Sequence, residues 1–146
     1  MAEKRPQTRE NHTKMVPVYH YVVFPILVVN LLWALYRVVT GVSIDTAITA
    51  AVAFSLVALA FYARTFALGA QDRVIRLEER LRMHGLMPDE LKPRIDEFTT
   101  NQLVALRFAS DEELPGLGRR VLDDSIGDRK TIKEMIVSWR ADYQRF

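Results

Sequence analysis

The sequence predicts an all-α protein, in which a two-helix transmembrane hairpin is followed by a small cytoplasmic domain of four to five short helices. The first observation is a pair of stretches without formal charge, residues 15–36 and 46–63. At a rise of ~1.5 Å per residue they span roughly 33 and 27 Å, against a hydrocarbon core of about 30 Å. The second observation is that the chain beyond them has the composition of a soluble helical domain, with no strand pattern. The predicted segments are a polar cytoplasmic tail (1–14), transmembrane helix 1 (15–39), an external turn (40–45), transmembrane helix 2 (46–66) and the cytoplasmic helical domain (67–146).

Three residues distinguish the first transmembrane helix. Pro25 removes one backbone hydrogen bond and predicts a kink. Asn30 is the only amide of the span and predicts an interhelical hydrogen bond, worth about 1 kcal/mol in lipid. His20 lies near the start of the span, where an imidazole either hydrogen-bonds to headgroups and water or ligates a haem iron or a chlorophyll magnesium.

The second transmembrane helix is rich in small side chains. Ser43 or Asp45 can cap its start, because a short side-chain oxygen accepts from an otherwise unpaired N–H. Small residues that recur at helical spacing let two backbones approach closely in lipid. The residues predicted to form this packing stripe are Ala47, Ala51, Ser55 and Ala58.

The distribution of basic residues predicts the orientation of the hairpin. The tail carries four basic residues and the region after the second span carries five, whereas the turn has only Arg37, offset by Asp45. Basic flanks prefer the cytoplasmic side. Both termini are therefore expected in the cytoplasm, with the protein in a bacterial inner membrane.

A charged helix is expected to continue from the second span. Leucine and valine side chains share one face of residues 72–84, and we expect this face to pack on the protein's own domain or on a partner's helix. Leu77 and Leu81 are the candidate docking residues. Opposite charges at i and i+4 predict the ion pairs Asp72–Arg76 and Glu78–Arg82.

Start signals predict the short helices of the domain. They are Pro88 for a helix at about 88–97, the capping boxes Thr99–Gln102 and Ser110–Glu113, and Asp128 for a last helix at about 129–139. The chain then ends in an aromatic segment with Trp139, Tyr143 and Phe146, which either closes the domain's core or docks a partner.

The composition disfavours several functional classes. Cysteine is absent, so thiolate catalysis and cysteine-ligated metals are excluded. From Arg64 onward 15 basic residues balance 15 acidic ones, which argues against nucleic-acid binding. No histidine pair has metal-ligand spacing, and no glycine-rich phosphate loop follows a strand. We therefore expect no enzymatic activity and no metal site.

The chain resembles a family of small two-span bacterial membrane proteins of unknown function. The segments that carry the resemblance are Asn11-His12-Thr13 with Pro17 and His20, the stretches 62–68, 71–82 and 106–114, and Trp139-Arg140 with Asp142-Tyr143. A similar protein of phototrophic bacteria is an accessory subunit of a reaction centre–antenna assembly. The resemblance thus implies a structural subunit without a cofactor of its own. Its partners would be reaction-centre and antenna polypeptides and the lipid bilayer, with contacts to bacteriochlorophyll, carotenoid or lipid.

Two other functions stay open on the sequence alone. One is a membrane-bound pigment or haem carrier that uses His20 as its ligand. The other is a homo-oligomeric small channel or transporter subunit, although the spans contain no charged residue to line a path.

Overall fold

A computed structural model describes residues 16–142, and these fold as two units, 16–68 and 69–142. Within the described range the regular structure is helical, apart from one isolated antiparallel bridge between Ala109 and Trp139. The boundary between the units falls inside the longest helix of the chain. Tyr143 and Phe146, two of the predicted docking residues, lie outside the described residues.

The first unit contains a π-helical turn (Tyr19–Val23), helix α1 (Phe24–Thr40) and the beginning of helix α2 (Ile44–Leu86). Residues 41–43 connect the two helices. The Ser43 hydroxyl accepts from the Thr46 N–H at 3.1 Å, and the Thr46 hydroxyl accepts from the Ser43 N–H at 2.9 Å. Of the two predicted caps, Ser43 therefore makes the contact, and the turn satisfies its own polar groups.

The π-helical turn lies directly before Pro25, where a kink was expected. Pro25 has no N–H for the carbonyl of Tyr21, so the regular i→i−4 pattern is interrupted there. The Phe24 N–H instead donates to the Tyr19 carbonyl, five residues earlier. The Tyr19 hydroxyl donates to the Ala60 carbonyl at 2.7 Å, which joins this turn to α2.

Two helices are long and apolar enough to cross a membrane, Tyr19–Thr40 with 22 residues and Ile44–Leu86 with 43 residues. Only 6% and 11% of their most apolar windows are buried by the chain itself. The core helix of a soluble protein would be mostly buried, so these helices are candidate membrane spans.

The second unit packs short helices on the last part of α2. A turn at residues 87–91 leads into a 3₁₀ helix (Lys92–Glu97), which is followed by α3 (Thr100–Leu106), α4 (Leu114–Asp123) and α5 (Arg129–Met135). The capping box at Thr99 is confirmed, and Asp128 caps α5 by accepting from the Thr131 N–H at 2.8 Å. The core is formed by Met83, Met87, Leu91, Ile95, Phe98, Leu103, Ala105, Leu106, Ala109, Leu114, Leu117, Val121 and Ile132.

Two of the predicted helices have different extents in the structure. The expected helix at 88–97 is a turn and a 3₁₀ helix, with Pro93 at its start. The expected last helix at 129–139 ends at Met135. The Glu113 carboxylate accepts from the N–H groups of Val137 and Ser138, both at 2.9 Å, and holds the chain in an extended course.

This use of Glu113 also changes the second predicted capping box. The Ser110 hydroxyl accepts from the Glu113 N–H at 3.3 Å, but the carboxylate of Glu113 turns to the C-terminal segment. One half of the predicted box is therefore present, and the other half is replaced by a tertiary contact.

Candidate interaction surfaces

The part of α2 within the second unit has one buried and one exposed face. Ile75, Glu79 and Met83 are buried against the unit's core. Val74, Leu77 and Leu81 retain 54%, 61% and 65% exposure. We call these last three residues the α2 stripe. Its exposure means that the apolar face seen in the sequence does not pack on its own domain, which leaves it available to a partner.

The buried face of α2 carries a network of charges centred on Arg82. The Arg82 guanidinium donates to Glu79 at 2.9 Å, to Asp111 at 2.6 and 2.8 Å, and to the Ala109 carbonyl at 2.7 Å. Arg140 lies 3.7 Å from the other carboxylate oxygen of Glu79. Through its bonds to Ala109 and Asp111, the Arg82 guanidinium connects α2 to the segment that follows α3.

The predicted i,i+4 ion pairs do not form. Arg82 binds Glu79 and Asp111 instead of Glu78, and Asp72 pairs with Arg129 at 2.9 Å instead of with Arg76. Both predictions were wrong because partners from the folded unit displace neighbours on the same helix. Ile75, Glu79 and Met83 lie four residues apart, so all three side chains share the face of α2 that the folded unit buries.

Burial raises the pKa of the Glu79 carboxyl above its ordinary value, and the charge of Arg82 opposes this shift. Desolvation disfavours the charged form of a carboxylic acid, whereas an adjacent guanidinium favours it. The direction of the net shift shows that Arg82 offsets only part of the desolvation of Glu79.

Trp139 is half-buried and belongs to the second unit's own packing. Its indole stacks on Phe108 with ring centroids 4.4 Å apart and planes at 12°. The guanidinium of Arg107 lies 4.4 Å from the centre of the same Phe108 ring. One face of Trp139 is therefore occupied, and a docking role for the rest of its surface stays a prediction.

His20 lies in the π-helical turn with a defined ring orientation. Its Nδ1 is 2.9 Å from the Val16 carbonyl oxygen, and its ring meets Tyr19 edge-on at 5.1 Å. A carbonyl only accepts, so this bond requires the proton on Nδ1, and in the neutral imidazole the lone pair is then on Nε2. A ring held in this way can ligate a metal centre through Nε2.

Asn30 lies on an exposed part of α1. Its side chain makes no hydrogen bond to any residue between 16 and 142. The bond expected for Asn30 is therefore not made to α2 within this chain, and its role in helix packing stays a prediction.

The predicted small-residue stripe of α2 is also largely exposed. Ala47, Ala51 and Ser55 are exposed and Ala58 is half-buried, whereas the buried residues of this part of α2 are Thr46 and Ala53. The Ser55 hydroxyl donates to the Ala51 carbonyl at 2.8 Å, so it needs no outside partner. Within the described residues, no helix covers this stripe.

The described part of the chain contains no group of three or more His, Asp or Glu side chains arranged to hold a metal ion. Among the described residues, His20 can therefore act only as a single axial ligand, in which role the remaining ligands come from the bound group itself.

These features define a class of protein: a small helical chain with two apolar, candidate membrane-spanning helices and a second, compact helical unit. Within that class the chain belongs to a family of unknown function, DUF6526, whose sequence model matches residues 1–146. Neither a curated protein nor a solved structure matches the chain.

Proposed function

We propose that this protein is a non-catalytic accessory subunit of a larger membrane protein complex in a bacterial inner membrane. The observation that carries the proposal is the amount of apolar surface that the chain leaves uncovered in both units. In the first unit, lipid can cover most of it. The α2 stripe lies among charged residues beyond the apolar span, where lipid does not reach, so it calls for a protein partner, which is either another subunit or a second copy of this chain.

The polar side chain of Asn30 supports a partner within the membrane as well. An amide without a hydrogen-bond partner is costly in hydrocarbon, and a helix from another subunit can supply the missing bond. The exposed small residues of α2 offer a second place where a partner helix can approach closely.

The two spans are proposed to form an antiparallel hairpin with both termini in the cytoplasm. The three-residue link at 41–43 and the bond from Tyr19 to the Ala60 carbonyl support the hairpin. Basic residues on both cytoplasmic flanks, and the lone Arg37–Asp45 pair at 3.7 Å near the turn, support the orientation.

A photosynthetic reaction centre with its antenna is the complex to which we assign the subunit. This assignment is supported only by the resemblance described above. In such a complex the protein would stabilise contacts between polypeptides and touch bacteriochlorophyll, carotenoid or lipid without ligating a cofactor of its own.

Purification of the tagged full-length chain from its native membrane in a mild detergent tests this proposal. We expect reaction-centre and antenna polypeptides to co-purify in a defined ratio. A monodisperse small oligomer without other subunits would refute the accessory role. Co-purification of a different membrane complex would keep the accessory role and refute the photosynthetic assignment.

A matched pair of variants examines the contact surface in the membrane. We expect Asn30→Leu to lower the yield of co-purifying subunits, because it removes the unpaired amide from α1. Val29, the exposed residue next to Asn30, provides the control. Val29→Leu changes the size of an apolar side chain on α1 and keeps the Asn30 amide. An equal yield for both variants would show that Asn30 does not contact a partner.

A second candidate function is favoured by the geometry of His20. The bond from Nδ1 to the Val16 carbonyl orients the ring and leaves Nε2 able to ligate the iron of a haem or the magnesium of a chlorophyll. In that case, His20→Leu removes an absorption band from the purified full-length protein, whereas His84→Leu, at an exposed position of α2, leaves it unchanged. An unchanged spectrum in His20→Leu would exclude the pigment-carrier function.

A further inference from the structure

The sequence around the α2 stripe has the pattern of a short parallel coiled coil. Val74, Leu77 and Leu81 are spaced by three and four residues, which places them at positions a, d and a of a heptad. On the same assignment Ile75 is at b and Glu79 is at f, and both are buried against the unit's own core. The a/d seam therefore points away from the protein's own domain.

The charges beside the stripe indicate what covers it. Arg73 is at position g and Glu78 is at position e, and both are exposed. Neither makes an ion pair with any residue of the described range. In a parallel pair of helices, position g of one helix faces position e of the following heptad in the other. Arg73 of one copy would thus meet Glu78 of a second copy, and the symmetry repeats this contact.

We propose that a second copy of this chain covers the α2 stripe, so that the protein is a parallel two-fold dimer through residues 73–81 of α2. The inference deepens the proposed function and rests on its membrane insertion. Two copies inserted in the same orientation emerge with α2 running in the same direction, which a parallel coiled coil requires.

Two observations favour this parallel dimer: the identity of the apolar residues in the seam, and the poor charge pairing that an antiparallel dimer would have. A β-branched residue at a with leucine at d is typical of two-stranded coiled coils, as in Val74 and Leu77. An antiparallel arrangement would bring g opposite g and place Arg73 near Arg80 of the other copy, which already pairs with Asp96 at 3.1 Å. Arg73 would then have no carboxylate partner across the seam, so the charge pattern favours the parallel register.

Cysteine cross-linking in the native membrane tests the dimer, because the natural chain has no cysteine. In Leu77→Cys the two thiols face each other across the seam, within the reach of a disulfide. In Arg76→Cys, an exposed control at position c, they do not. We expect a disulfide-linked homodimer from Leu77→Cys and only background from Arg76→Cys.

Two further outcomes would overturn the dimer. One is equal cross-linking of Leu77→Cys and Arg76→Cys in protein that is membrane-bound. The other is capture of a different polypeptide, instead of a second copy, by a benzophenone attached to the Leu81→Cys variant. If the protein does not fractionate with the membrane at all, the proposed function fails. If the protein does fractionate with the membrane and co-purifies with other subunits, but the Leu77→Cys variant does not cross-link, only the dimer is refuted.

Charge reversal tests the pairing itself in the Leu77→Cys background. We expect Arg73→Glu to slow cross-linking about fivefold, because two exposed ion pairs per dimer become repulsive. Adding Glu78→Arg to Arg73→Glu restores opposite charges across the seam and should restore the rate. If the double variant stays as slow as the single one, the parallel register is wrong.

Discussion

Replacing Arg82 by methionine is expected to destabilise the second unit strongly. The guanidinium is the nearest positive charge to the Glu79 carboxylate, at 2.9 Å, and only 7% of the Glu79 side chain is exposed. Methionine keeps much of the volume and removes the charge. Breaking a buried ion pair by removal of one partner costs about 3–5 kcal/mol, because the remaining charge stays buried.

The structure places the expected cost at the lower end of that range, about 3 kcal/mol. Arg140 remains 3.7 Å from Glu79 and stabilises part of its charge. The lost contact to Asp111 adds little, since 58% of that carboxylate side chain is exposed and exposed ion pairs are worth about 1 kcal/mol or less. For a unit of this size, about 3 kcal/mol corresponds to a fall in melting temperature of roughly 12 °C or more.

Denaturant unfolding of the full-length chain in detergent provides the measurement. The sequence contains two tryptophans, Trp33 and Trp139, so a Trp33→Phe background leaves Trp139 as the only indole. Because Trp139 stacks on Phe108, its fluorescence reports the packing of the second unit.

Two comparisons decide whether the reasoning about Arg82 is right. Arg80→Met is the control, because the partner carboxylate of Arg80, on Asp96, is 85% exposed and its loss should cost about 1 kcal/mol or less. Glu79→Gln in the Arg82→Met background removes the unpaired charge and should recover part of the stability. Equal effects of Arg80→Met and Arg82→Met, or no recovery in the double variant, would refute the account of a buried charge.

Further predictions concern packing, pH and capping in the second unit. A Cβ on Gly118 would lie 2.7 Å from Met87 Cε, whereas Gly116 has open space, so Gly118→Ala should be less stable than Gly116→Ala by about 1–2 kcal/mol in the same unfolding assay; equal stabilities would show that Met87 moves freely. Since the pKa of Glu79 is raised in the folded state, its contribution to the free energy of unfolding falls as pH rises from about 4.5 through the raised pKa, and a pH titration of Glu79→Gln should lack this component. An identical pH profile for the two proteins would contradict that shift. Thr99→Ala removes the cap of α3 and should cost about 1 kcal/mol in denaturant unfolding, and no measurable loss would mean that the cap contributes nothing.

Local signals in the sequence were enough to predict the start of several helices. The caps at Ser43, Thr99 and Asp128 each depend on residues within three positions of one another, so no tertiary information is needed. The two long apolar runs likewise predict their helices from length and composition alone.

The contacts that depend on the folded unit were not predictable in the same way. The partners of Arg82 include Asp111, which is 29 residues away, and the end of α5 depends on Glu113, more than 20 residues before it. Which face of α2 is buried also could not be decided from periodicity, because Leu77 and Ile75 are both apolar and lie on different faces. The choice depends on what the short helices cover.

The brevity of the link between α1 and α2 has a consequence for where recognition can occur. Only residues 41–43 connect the helices, and the Ser43 and Thr46 side chains bond to each other there. In a chain inserted as proposed, the periplasmic side receives almost no polypeptide. A soluble periplasmic protein would then find almost no surface of this chain to bind, so it would have to regulate the proposed complex through the other subunits.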